Sequence, residues 1–125
     1  MCNDARLIDE GDDRFHTLGD PTEGALVVSA AKMGYWKSAL DASFPRAAEL
    51  PFDSERKRMI TIHDVSQPDP NDFSPFYDEE NKGWDVIAVK GAPDIVLDLC
   101  TQYQDVNDKP QPRDEKTRDR ILDAN

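Results

Sequence analysis

The residues best suited to binding a ligand lie between positions 51 and 59, where Phe52 precedes the basic cluster Arg56-Lys57-Arg58. Stacking of a flat heterocycle on an aromatic ring contributes about 1 to 3 kcal/mol to the binding free energy and depends little on which base is bound. The neighbouring cations offer charge-assisted hydrogen bonds to an anion such as a phosphate. An aromatic face beside cations therefore suits a nucleotide. The alternative interpretation is that Phe52 is a core residue next to a solvated, charged turn.

The flanks of this stretch alternate with a period of two, which predicts a β-hairpin that turns through residues 54–57. Directly opposed side chains of a hairpin project from one face of the sheet. We therefore expect Phe52, Met59 and, at the loop edge, Lys57 to share one side. The other face, which we expect to point into the core, carries Ile60 and Ile62.

A second lysine stands at the end of another predicted strand. Residues 84–90 alternate, with Lys90 on the face of Val86 and Ala88, and a helix is expected to open at Gly91-Ala92-Pro93-Asp94. The small Ala88 and the side-chain-free Gly91 leave space for a flat ligand to approach the backbone. The structural alternative is that this motif serves only to start the helix.

Gly19-Asp20-Pro21-Thr22-Glu23 predicts the start of a helix that ends at Gly34. Asp20 suits the N-cap and Pro21 the first helical position, and Glu23 stands where it closes a capping box. The functional alternative is that Glu23 accepts a hydrogen bond from the amino group of a base.

The composition describes a soluble module with one moderate core, because the chain has 125 residues of which 33% are charged. A net charge of -11 argues against nucleic acid as a partner. A local basic cluster can still attract one phosphate, since charges are screened over about 8 Å at physiological salt. No run of residues is apolar and long enough for a membrane span, and neither His16 nor His63 has neighbours at metal-ligand spacing.

The remaining segments are expected to position these residues. Residues 1–10 predict a short helix or turn, 35–44 a second helix, 101–112 a turn or short extended pair, and 113–125 a charged helix without a stop signal. Residues 66–83 are acidic and rich in proline, which indicates a long solvated loop. That loop is also the candidate surface of a rival function, a protein-interaction module without a ligand of its own.

Three segments together resemble the cytoplasmic nucleotide-binding domain of type II cation-transporting P-type ATPases, the group of the calcium and sodium/potassium pumps. They are residues 19–26 (GDPTEGAL), residues 52–59 (FDSERKRM) and residues 90–94 (KGAPD), and residues 2–5 (CNDA) are similar to a segment near the start of that domain. The order and spacing of the segments cover most of the chain. The resemblance implies an α/β (α+β) fold in which an antiparallel sheet is flanked by helices.

The resemblance also implies a role for six residues in binding the nucleotide. Phe52 would stack on adenine, and Glu23 would lie near the adenine amino group. The residues that would line the rest of the pocket are Lys57, Met59, Lys90 and Gly91. Ser54 stands where some members of the family carry an arginine that contacts a phosphate. In this chain Arg56 or Arg58 would have to make that contact.

The segment whose aspartate receives the phosphoryl group in the family is absent from this sequence. The resemblance therefore implies an excised domain, residues 1–125, that binds ATP without a catalytic residue of its own. Its partners would be ATP, with Mg²⁺ in the full-length protein, and the phosphorylation and actuator domains of the parent chain. We expect a cytoplasmic domain of a membrane protein, of the calcium-pump type, that is inactive as a hydrolase alone.

Overall fold

The computed structural model describes residues 1–12, 14–65, 83, 85–107 and 109–124. Four helices and seven strands form within these residues. In chain order they are β1 (Arg6–Asp9), β2 (Phe15–Leu18), α1 (Pro21–Lys32), α2 (Lys37–Ser43), β3 (Arg46–Asp53), β4 (Arg58–Asp64), β5 (Asp85–Gly91), α3 (Pro93–Leu99), β6 (Gln102–Gln104), β7 (Pro110–Pro112) and α4 (Glu115–Asp123). The predicted α+β class, with antiparallel sheets, is confirmed.

The strands form three sheets. β1 pairs antiparallel with β2, with Leu7 opposite Thr17, and β6 pairs antiparallel with β7, with Tyr103 opposite Gln111. The third sheet has the strand order β3-β4-β5. The chain divides into two compact units. Unit 1 comprises Met1–Leu50 and Ile60–Ala88, and unit 2 comprises Pro51–Met59 and Val89–Asn125.

The prediction of a short helix or turn in residues 1–10 is wrong, because these residues contain strand β1. β1 and β2 are joined through Gly11 and Asp12, which have φ angles of 81° and 54°. Positive φ at consecutive residues is the geometry of a tight turn between antiparallel strands. The short apolar pair Leu7-Ile8 does not distinguish a strand from a helix by period, and the turn chemistry decides the structure.

Helix α1 begins as the sequence predicts. The Asp20 carboxylate accepts the backbone N–H of Thr22 at 2.9 Å and that of Glu23 at 3.2 Å, and Pro21 occupies the first turn. The helix ends before Gly34, whose φ of 88° permits the chain to leave it. The apolar side chains of the helix are covered unequally, since Val27 is buried while Met33, which follows the helix, is 72% exposed.

Strand β4 buries the face opposite to the predicted one. Ile60 and Ile62 are only half-buried, so the prediction that they point into the core is wrong. The buried positions alternate with them and are Met59, Thr61 and His63. Polar side chains occupy a buried face at low cost when they are hydrogen-bonded, and the imidazole of His63 lies 2.8 Å from the Thr61 hydroxyl.

The buried apolar side chains among the described residues are Ala5, Val27, Phe44, Met59 and Val65. Phe44 follows α2 and is fully buried. Trp36, at the other end of α2, is 45% exposed and stacks at a tilt on Phe15, with the ring centres 5.7 Å apart. No helix in the described part of the chain is both long enough and apolar enough to cross a bilayer.

Candidate functional site

The turn that follows Phe52 is fixed by one aspartate. Asp53 ends β3, and its side-chain Oδ1 accepts the backbone N–H groups of Glu55 and Arg56, both at 2.9 Å. The bond from Arg56 and that from Glu55 lower the pKa of the Asp53 carboxyl below its ordinary value, because they favour the charged form. The Asp53 carbonyl accepts the N–H of Lys57 at 2.6 Å. The predicted turn through residues 54–57 is confirmed, and its backbone is held at both ends.

Lys57 closes this turn in the left-handed region, with φ at 51°. A residue with a side chain adopts this conformation only when its surroundings hold it there, and such residues concentrate at functional sites. The carbonyl oxygen of Lys57 accepts the backbone N–H of Ala92 at 3.1 Å. The hairpin is thereby joined to the segment that carries the second predicted lysine, Lys90.

Gly91 lies against the same turn. A Cβ atom added at Gly91 would stand 2.4 Å from the Lys57 carbonyl oxygen and 2.8 Å from the Cβ of Arg58. The space that the sequence predicts for a ligand is therefore filled, on this side of the glycine, by the hairpin itself. This packing explains why residue 91 has no side chain, and its contact with a nucleotide stays a prediction.

The two apolar residues of the predicted pocket differ in exposure. The side chain of Phe52 is 62% exposed, so the alternative in which it is a core residue is wrong. Met59 is only 2% exposed. A ring that lies open on a strand can accept a stacked heterocycle, whereas a buried thioether contributes mainly to packing. The role of Met59 as a pocket wall stays a prediction.

The cations of unit 2 have different surroundings. Lys57 is exposed and Lys90 is half-buried. The guanidinium of Arg56 donates to the carbonyl of Pro51 at 3.3 Å and lies 3.9 Å from the Asp53 carboxylate. The Nε of Arg58 is buried and has no hydrogen-bond partner among the described residues. Arg56 is thus engaged by its own turn, and Arg58 carries an unsatisfied donor.

Glu23 lies in unit 1 and has partners that the capping box did not predict. Its Oε2 accepts the backbone N–H of Asp4 at 2.9 Å and that of Ala5 at 3.2 Å. The side-chain amide of Asn3, which is buried, donates to the carbonyl of Glu23 at 2.9 Å. The carboxylate therefore ties the first residues of the chain to helix α1.

Sequence reasoning missed a long-range anchor of that same segment. The Arg46 guanidinium forms an ion pair with Asp4 at 2.6 Å and donates to the carbonyl of Asn3 at 3.0 Å. Partial burial lowers the pKa of Arg46, but the hydrogen bonds with Asp4 and Glu49 outweigh it. The pKa of Arg46 is therefore raised above its ordinary value. No local pattern signals a pair 42 residues apart in the chain.

A cleft of about 560 Å³ lies in unit 1, and its lining holds none of the six predicted nucleotide-binding residues. Its lining residues are Asn3, Asp4, Arg6, Leu7, Ile8, Trp36, Lys37, Ser38, Asp41 and Arg46. Lys37 is already paired with Asp41 at 2.8 Å, as Arg46 is with Asp4. Two of the cations that line this cleft are thus neutralised by neighbouring carboxylates. The cleft is therefore a poor phosphate site despite its size.

In the part of the chain that the structure describes, no group of three or more His, Cys, Asp or Glu side chains is placed to hold a metal ion. Around Phe52 the described residues offer an open aromatic ring, an ordered turn and a backbone hydrogen bond from Ala92 to Lys57, which joins the turn to the segment that follows Lys90.

Comparison with known proteins identifies the family of this chain. All 125 residues match the family described as the cytoplasmic domain N of P-type ATPases. The chain belongs to that family. The FDSERKRM and KGAPD segments of this domain N are the ones that the Lys57–Ala92 hydrogen bond joins.

Three relatives illustrate the match. The domain is 42% identical over 102 residues to "Calcium-transporting ATPase 1" of Lactococcus lactis, which covers 82% of this chain and 9% of the relative. It is 36% identical over 115 residues to "Probable cation-transporting ATPase F" of Mycobacterium bovis, covering 92% of this chain and 11% of the relative. It is 35% identical over 124 residues to "Calcium-transporting ATPase 1" of Bacillus cereus, covering 99% and 12%. This domain N spans about a tenth of the length of these relatives.

Proposed function

We propose that this domain binds ATP, with adenine stacked on Phe52 and the phosphates near Lys57 and Lys90. The observation that supports this most strongly is the 62% exposed ring of Phe52, next to a turn whose backbone is ordered. A ring open to solvent can stack on a flat heterocycle, and cations beside it can pair with the phosphates that the heterocycle carries. Membership of the family makes ATP the expected ligand.

The phosphate-binding charge is local. The domain as a whole carries a net charge of -11, which repels an anion at long range. Screening confines that repulsion to about 8 Å at physiological salt, so the nearest cations dominate. Lys57 and Lys90 supply them, and Arg56 or Arg58 would make the phosphate contact of the arginine that some family members carry where this chain has Ser54. For Glu23, the contact with the adenine amino group implied by the resemblance stays a prediction.

The role of the domain in its parent protein would be to position ATP. Holding the adenine here lets the γ-phosphate reach an aspartate in a separate phosphorylation domain, and positioning contributes much of the catalysis in phosphoryl transfer. Mg²⁺ and the actuator domain would act in the longer protein. Because relatives are named calcium- and cation-transporting ATPases, we propose a cation pump as the parent, with calcium as the first ion to test.

Titration of ATP into the isotopically labelled 125-residue chain tests the proposal. We expect a dissociation constant near 1 mM, equivalent to about -4 kcal/mol. Phe52→Ala should weaken binding at least about fivefold, because stacking contributes about 1 to 3 kcal/mol. Phe15→Ala is the control, since Phe15 is a phenylalanine of unit 1 that is also exposed, at 44%. Equal responses of the wild type and Phe52→Ala would refute the stacking role.

The rival hypothesis, an interaction module that uses the acidic loop 66–83, makes a different prediction. Residues 66–82 lie outside the residues that the structure describes. The rival predicts spectra that do not respond to ATP and a partner that is lost when the loop is deleted. Release of phosphate from ATP by the purified chain would instead indicate catalytic groups that the sequence does not show.

A further inference from the structure

Strand β1 of unit 1 has an edge without a neighbouring strand among the described residues, since it pairs only with β2 in a sheet of two strands. The Glu10 N–H donates to the Arg14 carbonyl at 2.9 Å, so these residues form a hydrogen-bonded pair of the hairpin. In an antiparallel ladder such pairs alternate with pairs that are not hydrogen-bonded. Counting back from Glu10, Leu7 and Asp9 therefore direct their N–H and C=O groups away from β2, toward the free edge.

The unit 1 cleft of about 560 Å³ lies along this edge, because three consecutive residues of β1, Arg6–Ile8, line it. Successive side chains of a strand project to opposite faces of the sheet. Only the edge of β1 can therefore present all three residues to one cleft. Trp36 and residues of α2 also line the cleft, whose volume lies in the range of ligand pockets.

Ala5 sets one limit to any pairing at this edge. Its N–H is already bound, by Oδ1 of Asn3 at 2.9 Å and by Oε2 of Glu23 at 3.2 Å. An added strand can therefore pair with Arg6–Asp9, the 4 residues of β1.

The apolar side chains of β1 indicate which residues an added strand would carry. Directly opposed residues of neighbouring strands share a face. Leu7 shares the face of Phe15, on which Trp36 stacks with the ring centres 5.7 Å apart. A residue opposite Leu7 therefore projects toward an aromatic wall. Ile8, which is 36% exposed, favours an apolar residue opposite it.

Arg6 is the cation of the cleft that is available to a partner. It is exposed and forms no ion pair with any described residue. Lys37 is instead paired with Asp41 at 2.8 Å. Arg46 is paired with Asp4 at 2.6 Å. A carboxylate opposite Arg6 is therefore favoured, because opposite charges on neighbouring strands attract each other.

We propose that the free edge of β1 binds an extended peptide segment of another protein, which adds to the β1-β2 sheet as an antiparallel strand. The segment carries two adjacent apolar residues followed by a carboxylate, opposite Ile8, Leu7 and Arg6 in that order. Main-chain hydrogen bonds to Leu7 supply affinity, and the side chains supply specificity. A second copy of this chain is a poorer occupant, because each copy carries a net charge of -11 and the copies repel each other.

Titration of the peptide acetyl-Thr-Lys-Val-Val-Glu-Thr-amide into the isotopically labelled 125-residue chain tests the proposal. The register places its lysine opposite Asp9, its valines opposite Ile8 and Leu7, and its glutamate opposite Arg6. We expect saturable shifts of the amide resonances of residues 6–9 and 36–41. Absence of these shifts at millimolar peptide would overturn the proposal.

Hydrogen exchange of the free chain shows whether the edge is open. The amide protons of Leu7 and Asp9 should exchange quickly in the free chain and more slowly when the peptide is bound. Slow exchange of both in the free chain would mean that another part of the chain already covers the edge, which would also overturn the proposal.

Two methylated peptides separate strand addition from non-specific contact. N-methylation of the second valine removes the N–H that donates to the Leu7 carbonyl and should weaken binding at least about fivefold. N-methylation of the first valine, opposite Ile8, alters an N–H that points away from β1 and should change affinity by less than about twofold. Equal affinities of the two methylated peptides would refute pairing at this edge.

Charge reversal tests the contact with Arg6. A peptide with lysine in place of the glutamate should bind the wild type about threefold more weakly. Arg6→Glu should reverse this preference. Lys116→Glu makes the same change of charge at an exposed residue of unit 2 and should leave the preference unchanged. An unchanged preference in Arg6→Glu would exclude the contact between Arg6 and the carboxylate.

Discussion

The imidazole of His63 donates from Nδ1 to the carbonyl oxygen of Phe44 over 2.9 Å, and both side chains are buried. A carbonyl oxygen only accepts, so the proton of the neutral ring is on Nδ1. Nε2 lies 2.8 Å from the Thr61 hydroxyl and accepts from it. Every polar atom of this buried histidine is thus satisfied in the neutral form, in the interior of unit 1.

This arrangement predicts how stability depends on pH. Burial lowers the pKa of His63 below its ordinary value, and the charge of Arg46 acts in the same direction against the opposite effect of the Phe44 carbonyl. The unfolded chain therefore binds a proton at a pH at which the folded chain does not. The stabilisation is complete above the unfolded value, about 6.5, and is lost as the pH falls through the folded pKa.

Urea unfolding between pH 8 and pH 5 measures this effect. The window avoids the Asp53, Asp105 and Asp114 carboxyls, because their pKa values are lowered and their effects on stability appear below about pH 5. The free energy of unfolding of the wild type should decrease as the pH is lowered. His16→Gln is the control and should show the same decrease, since His16 is exposed. In His63→Gln the decrease should be smaller, and what remains is expected from the Met1 amino group, whose pKa burial lowers below its ordinary value. An equal decrease would show that His63 does not cause it.

The N-cap of α1 gives a second prediction. Asp20→Ala removes the acceptor of two backbone N–H groups and should lower the free energy of unfolding by about 1 kcal/mol. Asp20→Ser restores an acceptor at the same position and should recover most of the loss. Chemical denaturation of the three proteins is the measurement. Equal stability of the alanine variant and the wild type would contradict the cap.

Two phenylalanines should separate folding from binding. Phe44 is fully buried, so Phe44→Ala should cost about 3 to 5 kcal/mol of stability. Phe52 is 62% exposed, and Phe52→Ala should change stability by no more than about 0.5 kcal/mol. Thermal unfolding of both variants measures this difference. A large loss of stability in Phe52→Ala would mean that the ring serves the fold instead of a ligand.

Local signals in the sequence predicted the features that short-range chemistry decides. The cap at Asp20, the turn through residues 54–57 and the helix after Pro93 all follow from residue types within a few positions of each other. The family resemblance, which rests on the order of several such segments, is confirmed by the match over residues 1–125.

The features that the sequence did not predict depend on distant partners. A period of two identifies a strand without identifying its buried face, so Thr61 and His63 were not recognised as interior residues. Nothing within the local sequence of Lys57 indicates that its carbonyl meets Ala92, 35 positions later. For the same reason the sequence predicts ligand space beside Gly91, where the structure packs the hairpin.

The most direct test of the ATP site is a map of the backbone amide resonances that shift when ATP is added to the labelled wild-type chain. We expect the largest shifts in residues 51–59 and 89–92, around Phe52, Lys57 and Lys90. Shifts confined to the unit 1 cleft around Arg6 and Trp36, or no shifts at millimolar ATP, would contradict it.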